Sequence, residues 1–344
     1  MVDAPRASPL APQLRIVFFG TPEFATPSLE ALIGSVHRVV AVVSQPDRPT
    51  GRGQHLHPTP TKVVAQARGI PVVQPTRIKE EAFLQQIRDL SPDLGVVVAF
   101  GRILPDALLA IPRLGMINVH ASMLPRYRGA APIQRAVLAG DTETGVTIMR
   151  VATELDAGPT FAMAAVPIPP DATSGEMEGT LAHLGADLLL PIADALAEGR
   201  AVEIPQDDAR ATHAAKITKG EGAIDWTEPA AVVHNKVRGL QPWPLASTHL
   251  AGARLVLRRT VPLASGARSV IAGVDVPGTS APTDADPASG PGTVVRAEGD
   301  ELIVACGGGT TLRILEIQPE GRRTMTAREF LAGRGAAEGA RFEP

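Results

Sequence analysis

Two polar side chains, Asn118 and His120, stand two residues apart in the stretch Gly115 to Gln134, GMINVHASMLPRYRGAAPIQ. The apolar residues around them read as a short strand, and strand alternation turns both side chains to one face. One is an amide, a hydrogen-bond donor, and the other is an imidazole, the side chain suited to moving protons near neutral pH. Pro125, Gly129 and Pro132 follow at once, so the pair ends a strand and opens a loop, where sites tend to be built. Taken alone, an Asn-x-His pair also fits a satisfied polar turn. A third group, Asp156 in ATELDAGPTF, precedes Gly158 and Pro159 and so sits on a later turn.

An amide, an imidazole and a carboxylate suit acyl transfer to an amine. A nitrogen nucleophile attacking a formyl or acyl carbon creates an oxyanion, which the Asn118 amide would stabilise. The attacking nitrogen becomes cationic and the departing nitrogen needs a proton, so His120 is the natural carrier, with a neighbouring Asp156 fixing its tautomer. No serine or cysteine in a G-x-S-x-G setting is present. Direct transfer is therefore preferred to a covalent enzyme intermediate.

The elements that must position these groups alternate. Leu14 to Phe19 reads as a strand, Ser28 to Ile33 as a helix and Arg38 to Ser44 as a second strand, a βαβ unit with a parallel sheet. Helices through Val63 to Arg68 and Ile78 to Leu90, an Ile70 to Val73 strand and a fully buried Asp93 to Phe100 strand continue the pattern. In such α/β sheets ligands bind beyond the carboxyl ends of the strands, which gathers the loops after Phe19, Ser44, Phe100 and His120. The first turn lacks the G-x-G-x-x-G spacing of a dinucleotide site. Further on, Val146 to Val151 reads as a strand, Thr173 and Glu176 have capping-box spacing, and Pro191 is expected to kink or end the helix that follows.

Between the second strand and the next helix lies Gln45 to Lys62, QPDRPTGRGQHLHPTPTK, too long for a mere connector. Arg48, Arg52 and Lys62 give it cationic points, and Gly51 and Gly53 leave the chain around Arg52 adaptable; taken alone, the segment reads first as a mobile surface loop. From Ile224 onward the chain reads as short strands and turns: QPWPLA, RLVLRRT, Gly292 to Ala297, Glu301 to Cys306 and Thr311 to Gln318, with one helix capped by Thr227 and another near Ala327 to Ala332. This predicts a small barrel. The expected domains are a disordered tail over residues 1–13, a catalytic domain over 14–205, a linker over 206–222, and a C-terminal domain over 223–344 with a flexible insertion near 263–291.

Composition sets the frame. A length of 344 residues is enough for two cores, and 44% hydrophobic with 20% charged residues is ordinary for a soluble protein. A net charge of -3 gives no bulk pull toward nucleic acid, so a polyanion must meet a local patch. The single cysteine, Cys306, forms no internal disulfide and anchors no cysteine-based metal site, which suits a reducing cytoplasm. No window has the roughly 18 uninterrupted apolar residues of a membrane span.

The run INVHASMLPRYRGAAPIQ, with Asp156 in ELDAGP, resembles the folate-dependent formyltransferase family. FFGTPEFA, QPDRPTGRG, HPTPTK, KITKGEGAIDW and HNKVRGLQPWPLA resemble in particular its branch acting on methionyl-tRNA, and the resemblance runs from about Leu14 to Gly333. It implies an α/β fold with a doubly wound, mainly parallel, Rossmann-like sheet followed by an OB-like β-barrel. It also implies transfer of formyl from 10-formyltetrahydrofolate to the methionine amino group of initiator methionyl-tRNA, for translation initiation, by a cytoplasmic monomer without metal or membrane. Asn118, His120 and Asp156 would then carry catalysis, while Phe100, Gly101, Ser122, Met123, Leu124 and Pro125 line the folate site. The loop bearing Arg48, Arg52 and Lys62 would meet the tRNA acceptor end, Arg52 foremost, because a guanidinium fork grips phosphate or a base edge.

The sequence departs from the family's pattern at Met123, where leucine is usual, at Tyr127, where tryptophan is, and at Gln54 and His55, where a lysine pair is common. Rival readings are a formyltransferase acting on a sugar nucleotide or small amine, a folate hydrolase releasing formate, and a noncatalytic RNA-binding module.

Overall fold

A computed structural model describes residues 12–50, 55–263, 290–333 and 335–344. Arg52, most of the expected tail and residues 264–289 of the expected insertion lie outside these. The chain divides into two units: Met1–Pro132, Glu143–Pro167 and Glu178–Ala215 form one, and Ile133–Thr142, Ile168–Met177 and Lys216–Pro344 the other.

As far as Ala215 the elements run β1 (Arg15–Gly20), α1 (Thr26–Ile33), β2 (Arg38–Val43), β3 (Arg48–Thr50), β4 (His55–His57), α2 (Pro60–Ala67), β5 (Val72–Val73), α3 (Glu81–Asp89), β6 (Leu94–Val98), α4 (Asp106–Leu109), β7 (Met116–His120), β8 (Arg128–Gly129), α5 (Pro132–Ala139), β9 (Glu143–Arg150), β10 (Thr160–Pro167), α6 (Ser174–Ala197) and β11 (His213–Ala214). The main sheet of the first unit has the order β10-β9-β7-β6-β1-β2-β5. Strands β5 to β7 in that row are parallel, while β9 pairs antiparallel with β7 and β10 with β9. β1 therefore has β2 on one side and β6 on the other, and the winding reverses there, the place where open α/β sheets leave a crevice.

The central strands are continuous apolar runs because both their faces are covered. β6, LGVVV, is buried throughout. On one face Val17, Phe19, Val43 and Met116 pack with Phe83, Leu84 and Ile87, the apolar stripe of α3.

α6 starts at the expected capping box: Thr173 N donates to Glu176 Oε2 at 2.8 Å, and Glu176 N donates to Thr173 Oγ1 at 3.2 Å. Of the two outcomes expected at Pro191, a kink or an end, the helix does not end there but continues to Ala197. An interior proline costs about 3 kcal/mol, and the buried face of Leu181, Leu189 and Ala193 on either side of it offsets that cost. By length and composition α6 also passes for a membrane span. Its apolar residues Leu181, Ala186, Leu189 and Ala193 are buried within the protein, and a Cβ added at Gly185 would come within 2.6 Å of Val119 Cγ1 on β7.

The second unit continues with α7 (Ala230–Gly239), β12 (Ala246–Leu250), β13 (Ala253–Leu263), β14 (Val294–Glu298), β15 (Glu301–Ala305), β16 (Thr311–Pro319), β17 (Met325–Thr326), α8 (Ala327–Ala332) and β18 (Phe342–Glu343). Its antiparallel sheet runs β14-β15-β16-β13-β12-β18, with β17 on β16. A bridge between Thr293 and Arg341 joins the two outer strands, so the sheet curls into a small barrel around Trp226, Leu257, Leu302, Ile314 and Phe342. The expected QPWPLA strand begins only at Ala246, the prolines before it forming a turn. Thr227 does not cap α7: it bonds Asp225, and the Ala230 amide is taken by Thr310 Oγ1 at 2.8 Å. The HNKVRGL segment turns inward, with His234 on Thr260 and Arg238 donating to the Ala172 carbonyl. Burial pushes the Arg238 guanidinium below its ordinary pKa.

Candidate active site

β7 is an interior strand, with Asn118 opposite Val97 of β6 and Met149 of β9, and His120 opposite Thr147. Both polar residues belong to the strand and lie two apart, so they share a face as alternation requires. His120 is only 5% exposed. Asn118 is half-buried, and among the described residues its amide has no hydrogen-bond partner, which leaves its donors free for a ligand.

The turn after His120 is built by its own polar groups. Thr147 Oγ1 donates to the Ser122 carbonyl at 2.7 Å and accepts from Leu124 N at 3.2 Å, while Ser122 Oγ donates to the Arg126 carbonyl at 2.6 Å. Tyr127 takes φ +62°, a left-handed conformation that a non-glycine residue keeps only where its surroundings hold it. Here Tyr127 N donates to Thr212 Oγ1 at 2.8 Å, and the Tyr127 carbonyl lies 2.9 Å from His120 Nε2. A carbonyl only accepts, so Nε2 carries the hydrogen of this contact.

The other ring nitrogen, Nδ1, lies 3.6 Å from Asp156 Oδ2. That is beyond hydrogen-bond length but within reach of charge attraction. The same oxygen accepts from the Gly129 amide at 2.9 Å. Asp156 is itself left-handed, at φ +50°. Two residues on, a Cβ at Gly158 would collide with the Arg150 carbonyl, so this loop closes on β9 only with glycine there. The loops carrying Tyr127, Gly129 and Asp156 thus converge on one imidazole.

Beyond the carboxyl ends of β1, β2 and β6 opens a cleft of about 510 Å³, lined by residues that include Thr21, Gln45, Arg48, His57, Phe100 and Arg102. Gln45 ties its walls together, donating to the Phe100 carbonyl at 3.0 Å and accepting from Arg102 Nε at 2.9 Å. Of the side chains expected along a folate wall, Phe100, Ser122 and Leu124 are buried. Gly101, Met123 and Pro125 keep exposed surface. Phe100 packs edge-on against Phe19, with ring centroids 5.6 Å apart.

The three cations of the Gln45 to Lys62 loop separate. Arg48 is exposed on β3, opposite His57 of β4, and Arg52 lies outside the described residues. Lys62 is engaged: its ammonium lies 2.5 Å from Asp47 Oδ2 and donates to Gln74 Oε1 at 2.9 Å. The Lys62 bond first, and the Gln74 bond second, hold the Asp47 carboxyl below the usual carboxylate range.

Sequence reasoning missed the Tyr127 carbonyl, Thr147, Gln45 and Gln206. A backbone carbonyl has no sequence signature, and Gln206 lies in a segment read as a linker. Within that segment β11 pairs with β8 in the first unit.

Residues 14–192 match the family described as Formyl transferase, and residues 216–335 match Formyl transferase, C-terminal domain. The chain is 47% identical over 324 residues to a methionyl-tRNA formyltransferase of Pelobacter propionicus, covering 94% of each chain. It is 45% identical over 320 residues to one of Moorella thermoacetica, covering 93% of this chain and 96% of the relative. Among solved structures it is similar to an N-formyltransferase of Helicobacter canadensis in complex with folinic acid and dTDP-3-aminofucose. That match has a TM-score of 0.63 at 14% identity and covers 89% of this chain and 100% of the other, a likeness of fold.

Proposed function

The chain belongs to the formyl transferase family, and we propose that it moves the formyl group of 10-formyltetrahydrofolate to the methionine amino group of initiator methionyl-tRNA. The reading rests on near full-length likeness to methionyl-tRNA formyltransferases, spanning both units. One local observation carries the chemistry: Asn118 offers an amide that bonds to no described residue, on the face where His120 is held between the Tyr127 carbonyl and Asp156.

In this reaction the methionine nitrogen attacks the formyl carbon, a new C–N bond forms, and the bond from that carbon to the folate nitrogen breaks. One proton leaves the attacking nitrogen and one arrives on the departing nitrogen, so the exchange balances without a co-reactant. The Asn118 amide meets the oxyanion of the tetrahedral intermediate. His120 carries the proton at Nδ1, because Nε2 is committed to Tyr127. Asp156 faces that atom at 3.6 Å and balances the charge of the ring while it holds the proton.

The folate lies against Gly101, Met123 and Pro125, and the Gln45 to Lys62 segment meets the acceptor end of the tRNA through Arg48, on β3, and Arg52. With a net charge of -3, attraction to RNA comes from such a local patch. On this reading the protein acts as a cytoplasmic monomer without metal.

The test is to combine protein, 10-formyltetrahydrofolate and charged initiator tRNA and to look for formyl-methionine on the tRNA. Formyl found on a sugar amine, or released as formate, with none on the tRNA overturns the reading.

A further inference from the structure

Asp156 faces His120 only while its loop stays in place, and one side chain grips that loop from outside it. Gln206 Nε2 donates to the Asp156 carbonyl at 2.8 Å and to the Gly158 carbonyl at 2.7 Å. Its Oε1 accepts from Arg128 Nε at 3.1 Å and from Arg128 Nη2 at 2.9 Å. Arg128 stands between Tyr127, whose carbonyl meets His120 Nε2, and Gly129, whose amide meets Asp156 Oδ2. A single primary amide therefore spends both hydrogens and its oxygen in joining the two loops that converge on His120.

The segment carrying Gln206 is anchored in turn. Arg128 N donates to the Thr212 carbonyl at 2.9 Å, and β11 pairs with β8. Arg128 Nη2 also reaches Asp208 Oδ1 at 2.6 Å, a second hold on its guanidinium.

We propose that Gln206 is a positioning residue for formyl transfer, acting through the Asp156 loop on His120. The inference rests on the function proposed above. Glutamine is the side chain that the site requires, since two carbonyls need N–H donors and one guanidinium needs an acceptor oxygen. Gln206→Glu separates the two tasks: it keeps an acceptor for Arg128, strengthened by charge, but turns a second oxygen toward the Asp156 and Gly158 carbonyls.

The experiment is steady-state formylation of methionyl-tRNA by the full chain, using Gln206→Glu and Gln206→Ala, each alone and combined with Asp156→Asn. Thermal unfolding of every variant is followed alongside. Displacement of the loop should lower kcat roughly 10- to 100-fold in Gln206→Glu, with KM for both substrates within about twofold of wild type. In the Asp156→Asn background the same substitution should cost less than about threefold, the non-additivity expected of groups acting as a unit.

Near-wild-type kcat in Gln206→Glu overturns the proposal, and so do equal losses in both backgrounds, since a plain structural anchor would be additive. If Gln206→Ala unfolds, Gln206→Glu, which retains the Arg128 contact, still decides the matter. Absence of formyl-methionyl-tRNA from the wild-type reaction would overturn the function itself, a result distinct from an active wild type with an indifferent Gln206→Glu.

Discussion

His120 Nε2 and the carbonyl oxygen of Tyr127, seven positions on in the chain, stand 2.9 Å apart. Because the carbonyl can only accept, this contact assigns the hydrogen to Nε2 and leaves Nδ1, beside Asp156, as the ring nitrogen open to a further partner. The left-handed backbone at Tyr127 is what turns its carbonyl back toward the strand it has just left.

His120→Ala removes the proposed proton carrier. Loss of a positioned acid–base group is expected to lower kcat by about 10²- to 10⁴-fold, with folate binding retained. Turnover within about threefold of wild type, read in single-turnover formylation, would take His120 out of the reaction.

Asn118→Ala should act at a different point. Its amide bonds to no described residue, so truncation leaves no buried partner unsatisfied and the unfolding midpoint should move little. Removing one oxyanion donor costs about 10²- to 10³-fold in kcat. A loss of comparable size in KM, with kcat unchanged, would mean instead that Asn118 binds the ground state.

Arg48 and Lys62, grouped by the sequence as tRNA contacts, should separate when salt is varied. Arg48 is exposed, whereas the Lys62 ammonium is taken by Asp47 and Gln74. Arg48→Ala is expected to reduce the slope of log KM for tRNA against log salt by about 0.7 to 0.9, the value of one phosphate contact. Lys62→Met should leave the slope in place and lower the thermal midpoint. Equal slope changes in both variants would return Lys62 to the RNA contacts.

Asp47 gives a pH dependence with a definite sign. Its folded-state pKa is depressed, chiefly by the Lys62 bond and then by Gln74. Its contribution to stability is therefore complete above the unfolded value, about 4, and disappears as pH falls through the depressed folded value. The thermal midpoint of the wild type should fall more steeply below about pH 4 than that of Asp47→Asn. Parallel curves would show that the Asp47–Lys62 pair adds nothing to stability.

Local patterns carried much of this molecule. The β-branched runs RVVAVV and LGVVV form strands because they can bury both faces. α8 begins where Thr326 and Glu329 close a capping box, Thr326 N donating to Glu329 Oε2 at 2.9 Å and Glu329 N to Thr326 Oγ1 at 3.3 Å. The shared face of Asn118 and His120 follows from strand alternation, and the turn at Asp156 from the Gly158 and Pro159 behind it.

Where local rules failed, a distant group had taken over. Thr310 caps α7 in place of Thr227, and the buried face of α6 carries that helix past Pro191. The sequence by itself determined most of the strand and helix segments, because propensity and periodicity act over a few residues. Tertiary structure alone decided that β1 lies between β2 and β6, that Nε2 rather than Nδ1 of His120 is committed, and that Gln206 grips the loop of Asp156. Those arrangements depend on hydrogen bonds between groups far apart along the chain, and such pairings leave no period in the sequence.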